Sequence, residues 1–417
     1  MERNDRENRQ KAGRERVIAP NDQREDDPFN WQIILSMLGI ITALGLIVAI
    51  FFVTLATGFN LPSKTLVFTQ ILFRHGARGP SGSPTNAEYH QYFPRGSGQL
   101  TDRGFNHSHL LGRYLRKRYI DDYQLIDKQM IAKEMYWRSV NRDRCLSTAS
   151  TVGAAMFESD KYQYLNVAVV TQETNETLLN YNRKGCRREH EIYKEKCSNY
   201  EYNPKRGYGE YIKSVYDCLD HKNPIFDKHP FEEVESHIAE YKNGINVDES
   251  IKKNIDSMIS TYTKITHFIN GIGIYQNKIL MKIKYGLMVD TLLNNIENAW
   301  NEHMEKKIKR KLKVYSTQDW MISGILDSFG VLKETIGYDE VPEFNSMIIM
   351  ELWNIGEYPH VQFYYKKEEV TNMNHELLDV TKYVRNCPKS GHPCPLERFL
   401  SCCDDYRETQ IGKSCSI

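Results

Sequence analysis

From Pro28 to Ser63 the chain carries no charged side chain, and inside that window lies IILSMLGIITALGLIVAIFFVTLAT, Ile33–Thr57. An apolar run of this length spans the hydrocarbon core of a bilayer as one helix. The competing reading is a cleaved signal peptide, with TLATGF as a loose small-residue cleavage site. The run exceeds a signal core and follows a long charged tail, so a retained signal-anchor helix over 31–58 is expected. Residues 1–27 hold 15 charged side chains and few large apolar ones, the composition of a disordered segment. Seven Lys and Arg precede the span, and only Lys64 separates it from Arg74. The positive-inside rule puts residues 1–27 in the cytoplasm. The rest of the chain then faces a lysosomal or other endomembrane lumen, or the cell exterior.

That placement gives the cysteines a meaning. There are nine, five of them in residues 387–417, and no C-x-x-C pair has a matching partner pair. A zinc site is therefore not expected, and in an oxidising compartment the cysteines read as disulfides. Nine is odd, so at least one thiol is free or pairs between chains. The sequons at Asn106 and Asn175 are candidate glycan acceptors. With 55 basic and 54 acidic residues, the chain has no bulk charge to attract nucleic acid. No fixed-period repeat is present.

Past the anchor, TLVFTQILF (65–73) is almost wholly apolar or β-favouring and reads as a strand buried on both faces. It ends in RHGARGP, where Gly76, Gly79 and Pro80 signal a loop. Residues 99–119 read as a helix capped by Thr101 or Asp102, with Leu110, Leu111, Tyr114 and Leu115 as its apolar stripe. Its basic cluster Arg113, Arg116, Lys117 and Arg118 reads as a solvated face, with membrane contact as the rival reading. A strand at 134–139 and a helix at 142–157 follow. Residues of about 158–290 are rich in Tyr, Asn, Lys and Glu and read as a mostly helical inserted cap, with helices at 251–275 and 278–300. The basic run Lys306–Lys313 is expected to be a helix end and its solvated face. A short strand in 309–320 and a hairpin of 346–355 with 358–367 around Gly356 complete the pattern. The expected fold is α/β: a twisted, mainly parallel sheet with helices on both faces.

Such folds gather their sites at the carboxyl ends of parallel strands, and three expected strand ends carry RHGAR, RSVNRDR and TQD. Arg74 and Arg78, with Arg138 or Arg144, would form a positive pocket whose guanidinium forks match phosphate oxygens. Positive charge around His75 would lower its pKa and keep it neutral, as a nucleophile must be. Asp319 is placed to protonate a leaving alkoxide. Taken singly these residues are bland. R-H-G triplets are common, Arg144 suits a helix surface, and Asp319 suits a helix N-terminus. Their ordered recurrence at strand ends is what raises them above that.

LVFTQILFRHGARGP resembles the R-H-G-x-R-x-P signature of the histidine acid phosphatases, in particular the prostatic and lysosomal branch. GQLTDRGFNHSHLLGRYLRKRY, WRSVNRDRCLSTAS, VYSTQDWMISGIL and CPLERF resemble further segments of that branch, in order, across about residues 65–415. The resemblance implies a histidine phosphatase (phosphoglycerate mutase-like) fold over 65–417. It implies hydrolysis of phosphomonoesters through a phosphohistidine, without metal or cofactor. His75 would be the nucleophile, Arg74, Arg78 and Arg144 the phosphate ligands, and Asp319 the proton donor. It also implies Cys387–Cys394 and Cys186–Cys415 disulfides and leaves a homodimer open. Cys197, Cys218, Cys402 and Cys403 stay unassigned, Cys145 reads as a free buried thiol, and a third family disulfide has no counterpart near Met347. One position departs from the pattern: Gln318 stands where the family has a histidine that helps hold the phosphate. A glutamine keeps a donor but no charge, a loss of about 1–2 kcal/mol, or roughly five- to thirtyfold in rate. The rival function is therefore a non-catalytic or weakly active member that binds a phosphorylated ligand or partner. A phosphatase specialised for one phosphosugar, lipid or inositol phosphate is a third reading, and a mutase is disfavoured.

Overall fold

The computed structural model describes residues 31–56, 63–158, 165–173, 176–181, 186–197, 208–219, 223–367, 376–390, 393–410 and 412–415. The tail 1–27 and the sequon at Asn175 lie outside them. The chain divides into two units, residues 1–61 and 62–417. In the first, α1 (Trp31–Ala56) is one uninterrupted helix, and Trp31–Ile50 is long and apolar enough to cross a membrane.

The second unit is built on one sheet. Its strands are β1 (Lys64–Arg74), β2 (Met135–Ser139), β3 (Val169–Val170), β4 (Leu312–Thr317), β5 (Met347–Ile355), β6 (Tyr358–Lys366), β7 (Leu378–Asp379) and β8 (Cys394–Pro395). They lie in the order β3-β2-β4-β1-β5-β6-β7, with β8 also on β6. β3, β2, β4 and β1 pair in parallel. The β5–β6 hairpin extends that core antiparallel from β1. Gly356 and Glu357 turn the hairpin with φ of 57° and 72°, the left-handed pair that suits strand twist.

The alternation along β1 explains its composition. Phe68 and Leu72 enter one apolar core, with Met288, Leu292, Ile322 and Ile325. Ile71 and Phe73 enter the other, with Leu111, Leu115, Val152 and Met156. Hence α9 (Lys278–Met304) and α10 (Asp319–Phe329) cover one face, and α2 (Asp102–Arg116) and α3 (Asp143–Phe157) the other. A continuous apolar strand is what two covered faces require. Thr101 caps α2, accepting from Gly104 N–H.

A layer of helices is inserted between β3 and β4: α4 (Arg187–Lys196), α5 (Tyr208–Tyr216), α6 (Pro224–Lys228), α7 (Phe231–Lys242) and α8 (Glu249–Asn270). They have an apolar core of their own, including Tyr193, Phe231, Val234, Met258 and Phe268. Leu280, at the start of α9, belongs to that core, and Met281–Ala299 of the same helix belong to the sheet's core.

Two basic runs meet expectation only in part: Arg113 and Lys117 are exposed, as are Lys306, Lys307, Lys309 and Arg310, but other members are not solvated. Arg118 sits on a π-helical extension of α2 (Lys117–Asp122) and grips the buried Glu351 through Nε and Nη2 at 2.7 and 2.9 Å. It is a core ion pair rather than a solvated face. α9 ends at Met304, and Lys306 turns the chain with φ of 57°. Lys311 then pairs with Glu134 at 2.8 Å and Lys313 lies in β4, bonded to Asn295. This run therefore spans a turn and a strand, because the lysine stems are long enough to cross apolar surface to a polar partner.

Disulfides join Cys186–Cys415, Cys387–Cys394, Cys197–Cys218 and Cys402–Cys403. Cys145 is a buried thiol whose pKa burial pushes up to about 12, so it is inert. Asn106 is exposed in mid-α2.

Candidate active site

Parallel pairing brings the three polar strand ends together. Arg74, the last residue of β1, lies beside Thr317, the last of β4. His75 N–H donates to the Thr317 carbonyl at 3.1 Å, and the His75 carbonyl accepts from Asn345 N–H at 3.2 Å. The following glycine is a steric requirement. A Cβ on Gly76 would lie 2.7 Å from the Gly104 carbonyl oxygen and 2.8 Å from Ser108 Oγ, so the loop can rest on α2 only without a side chain. Gly76 N–H donates to Thr148 Oγ1 on α3 at 3.0 Å.

His75 is 2% exposed. Its Nδ1 lies 2.9 Å from the Gly76 carbonyl oxygen. A carbonyl only accepts, so Nδ1 carries the proton and Nε2 keeps its lone pair. Burial first, then the charges of Arg74, Arg144 and Arg78, hold its pKa well below the usual histidine value. The ring is therefore neutral in mild acid.

Each arginine is held by the protein and still has donors to spare. Arg74 Nη2 pairs with Asp319 Oδ2 at 2.7 Å, its Nη1 donates to the Pro342 carbonyl, and its guanidinium lies 4.4 Å from the Phe344 ring centre. Arg78 Nη2 pairs with Glu235 Oε1 at 2.7 Å. Arg144, on the first turn of α3, donates from Nη2 to Gln318 Oε1 at 3.0 Å. The buried Nε–H groups of Arg74, Arg78 and Arg144 have no hydrogen-bond partner among the described residues. Buried donors are normally paired, so three such orphans on arginines whose charges all act on His75 would suit an anion. Arg138 is elsewhere: it pairs with Glu176 at 2.8 Å and, although its Nε is also an orphan, it is not joined to this group.

Asp319 is the first residue of α10, and Gln318 is the cap position before it. Its Oδ1 accepts from Trp320 N–H at 2.8 Å. Burial would raise its pKa, but Arg74 and Arg78 outweigh that and hold the carboxyl below the usual aspartate value. Without a bound anion it is a carboxylate.

Arg74, Arg78 and Asp319 line a cavity of about 30 Å³, roofed by Glu235, Lys242 and Tyr262. These roof residues have no motif in the sequence. Glu235 also accepts from Ser81 N–H at 2.9 Å. Lys242 pairs with Glu343 at 2.7 Å, and burial lowers its pKa. The one available signal was amphipathic: FEEVESHIAEYK presents its apolar residues to the cap core, and nothing distinguishes a glutamate facing a cavity from one facing water.

A sequence model of the histidine phosphatase superfamily (branch 2) matches residues 65–366. The chain belongs to that family. It is 30% identical over 376 residues to "putative acid phosphatase 1" of Caenorhabditis elegans, covering 84% of this chain and 82% of that protein. It is 26% identical to human prostatic acid phosphatase over 81% and 84% of the two chains. In fold it resembles the Klebsiella sp ASR1 phytase, with a TM-score of 0.58, 14% identity, and coverage of 83% of this chain and 97% of that one. The chain is thus an acid phosphatase-like hydrolase of the branch 2 histidine phosphatases, with the mixed sheet and abundant helices of that family.

Proposed function

We propose that this histidine phosphatase hydrolyses phosphomonoesters in two steps at His75, with Arg74, Arg78, Arg144 and Gln318 as phosphate ligands and Asp319 as proton donor. Support comes chiefly from the three orphaned arginine Nε–H groups around a neutral, buried His75. His75 Nε2 attacks phosphorus, the P–O bond to the alcohol breaks, and Asp319 gives its proton to the departing oxygen. Water then attacks the phosphohistidine, returns a proton to Asp319 and releases inorganic phosphate. The arginines spread the charge on the equatorial oxygens, which is the main demand of this transfer.

Asp319 begins as a carboxylate, so the proton it donates must arrive with the substrate. A phosphomonoester with a second pKa near ~6 enters acid-side solution as a monoanion. Its negative charge on the arginines removes the force that keeps Asp319 ionised, and the proton passes to Asp319. A phosphate group in a space of about 30 Å³ also displaces the Glu235 carboxylate from Arg78.

The test is a base-quenched turnover followed by peptide mass spectrometry. A phosphorylated His75 peptide that disappears in His75→Ala is the expected result; release of phosphate by the His75→Ala protein would overturn the assignment. A second reading, a phosphate-binding member with little turnover, draws on one observation. Arg74, Arg78 and Arg144 are each already engaged, by Asp319, Glu235 and Gln318.

The proposed organisation is a cytoplasmic tail 1–27, a signal-anchor helix 31–58, and a lumenal or extracellular phosphatase domain 65–417 with its helical cap about 158–290. Protease protection of sealed microsomes checks the orientation.

A further inference from the structure

A second cavity, of about 70 Å³, adjoins the first and shares Tyr262, Asp319 and Val341 with it. It opens on the side of the proton donor. α8 of the cap contributes Thr266, His267 and Asn270, and α10 contributes Trp320 and Ser323. Among the described residues that line it, none is Lys or Arg, and Asp319 is the single acid. The first cavity, with Arg74, Arg78 and Lys242, holds all the positive charge.

His267 is the telling member. It is 2% exposed, and neither ring nitrogen has a hydrogen-bond partner among the described residues. The backbone at Gly273 closes one side of it: a Cβ there would lie 2.7 Å from Nδ1. Burial lowers its pKa to about 4, so the ring is neutral, with one donor and one acceptor. A buried donor and acceptor left unpaired are unfavourable, and the mechanism has no use for this ring. Hydroxyl groups of a ligand, each both donor and acceptor, would satisfy it.

Size narrows the ligand further. A water molecule needs roughly 10–15 Å³ of such space, so the cavity accommodates about five or six non-hydrogen atoms. A second phosphate is disfavoured because no cation faces it. A purely apolar group is disfavoured because His267 would stay unpaired.

We propose that this cavity is the leaving-group subsite and takes an uncharged, hydroxyl-bearing alcohol, the polyol half of a small polyol monophosphate. The inference rests on the catalytic reading above, since it places the phosphoryl group among the arginines and the departing oxygen at Asp319.

The experiment compares glycerol 1-phosphate with n-propyl phosphate, which has a leaving group of similar length without the extra hydroxyls. Values of kcat/KM are measured for the full-length protein in detergent micelles, and for His267→Leu and Ser323→Ala. The expected wild-type ratio favours glycerol 1-phosphate by about tenfold or more, because a site built to bond hydroxyls discriminates against their absence. The ratio should collapse towards unity in His267→Leu and fall a few-fold in Ser323→Ala. Equal kcat/KM values in the wild type overturn the subsite while leaving the phosphatase reading intact. A ratio unchanged in the variants does the same. No turnover of either ester by the folded wild type overturns both. If His267→Leu does not fold, Ser323→Ala and the wild-type ratio decide.

Discussion

Gln318 stands where the resemblance leads one to expect a histidine, and its hydrogen bond shows what that exchange would change. Arg144 only donates, so the Gln318 oxygen must face it, which leaves the amide NH₂ as the group available to a phosphate. Gln318→His replaces that neutral donor by one able to carry charge. The expected gain in kcat is about five- to thirtyfold, read from initial rates in acid, and an unchanged or lower kcat would mean that Arg144 needs the amide. Glu235 acts in the opposite sense, because its carboxylate competes with the incoming phosphate for Arg78. Glu235→Gln keeps the side chain's length and should tighten inhibition by inorganic phosphate about tenfold. Weaker inhibition would show that Glu235 chiefly positions Arg78. The contrast between these two residues says what is legible in a sequence. Arg74, His75, Arg78 and Asp319 could be named because parallel strands carry their C-terminal ends to one place, whereas strand ends alone left Arg138 and Arg144 open and the family resemblance singled out Arg144, which stands on α3. Glu235 and His267 could not, because they reach the site from helices whose spacing reports only which face is apolar.

Among the elements, α7 has the most tasks. Glu235, Ser236 and Glu240 bond the loop that follows the RHGAR turn, and Asn243, the cap residue after α7, bonds the turn itself. Glu240 takes Thr85 N–H and Oγ1 at 2.7 Å each, and Asn243 donates to the Arg78 carbonyl at 2.8 Å. The cap therefore fixes the loop that carries Arg78. A second buried polar knot ties α4 to α9: Lys284 pairs with Glu189 at 2.8 Å, and Glu189 also accepts from Tyr181 and Tyr193. Lys284 and Glu189 are 1% and 0% exposed. Removing one partner strands a buried charge, so Glu189→Gln should cost about 3–5 kcal/mol of stability, measured by urea unfolding. A loss below about 1 kcal/mol would place the pair effectively in solvent. The strands, the hairpin and the long helices were legible because burial on one or two faces imposes a period. The knot was not, since Lys and Glu are also the ordinary residues of a wet helix surface.

For the whole molecule, acid pH and the fold pull against each other. His267 has a folded pKa of about 4 against 6.5 for an unperturbed histidine. The unfolded chain thus binds this proton first, and the stabilisation present above pH 6.5 is lost as the pH falls towards 4. The difference amounts to about 3 kcal/mol over that window, and the lowered pKa of His75 acts in the same direction. Unfolding free energies between pH 7.5 and 4.5 should fall more steeply for the wild type than for His267→Leu; parallel curves would contradict this. The Cys186–Cys415 bridge, 229 residues apart in sequence, counters the loss by restricting the unfolded chain, by about 2–5 kcal/mol. Finally, α9 starts in the cap's core and finishes in the sheet's, which bears on how such caps are exchanged in evolution and in the laboratory. A graft that cuts within α9 divides one rod between two parents and breaks both cores. The natural splice lies at Gly271–Asn277, before the rod begins, so a chimera that takes its whole α9 from the sheet donor has only one apolar surface to rematch.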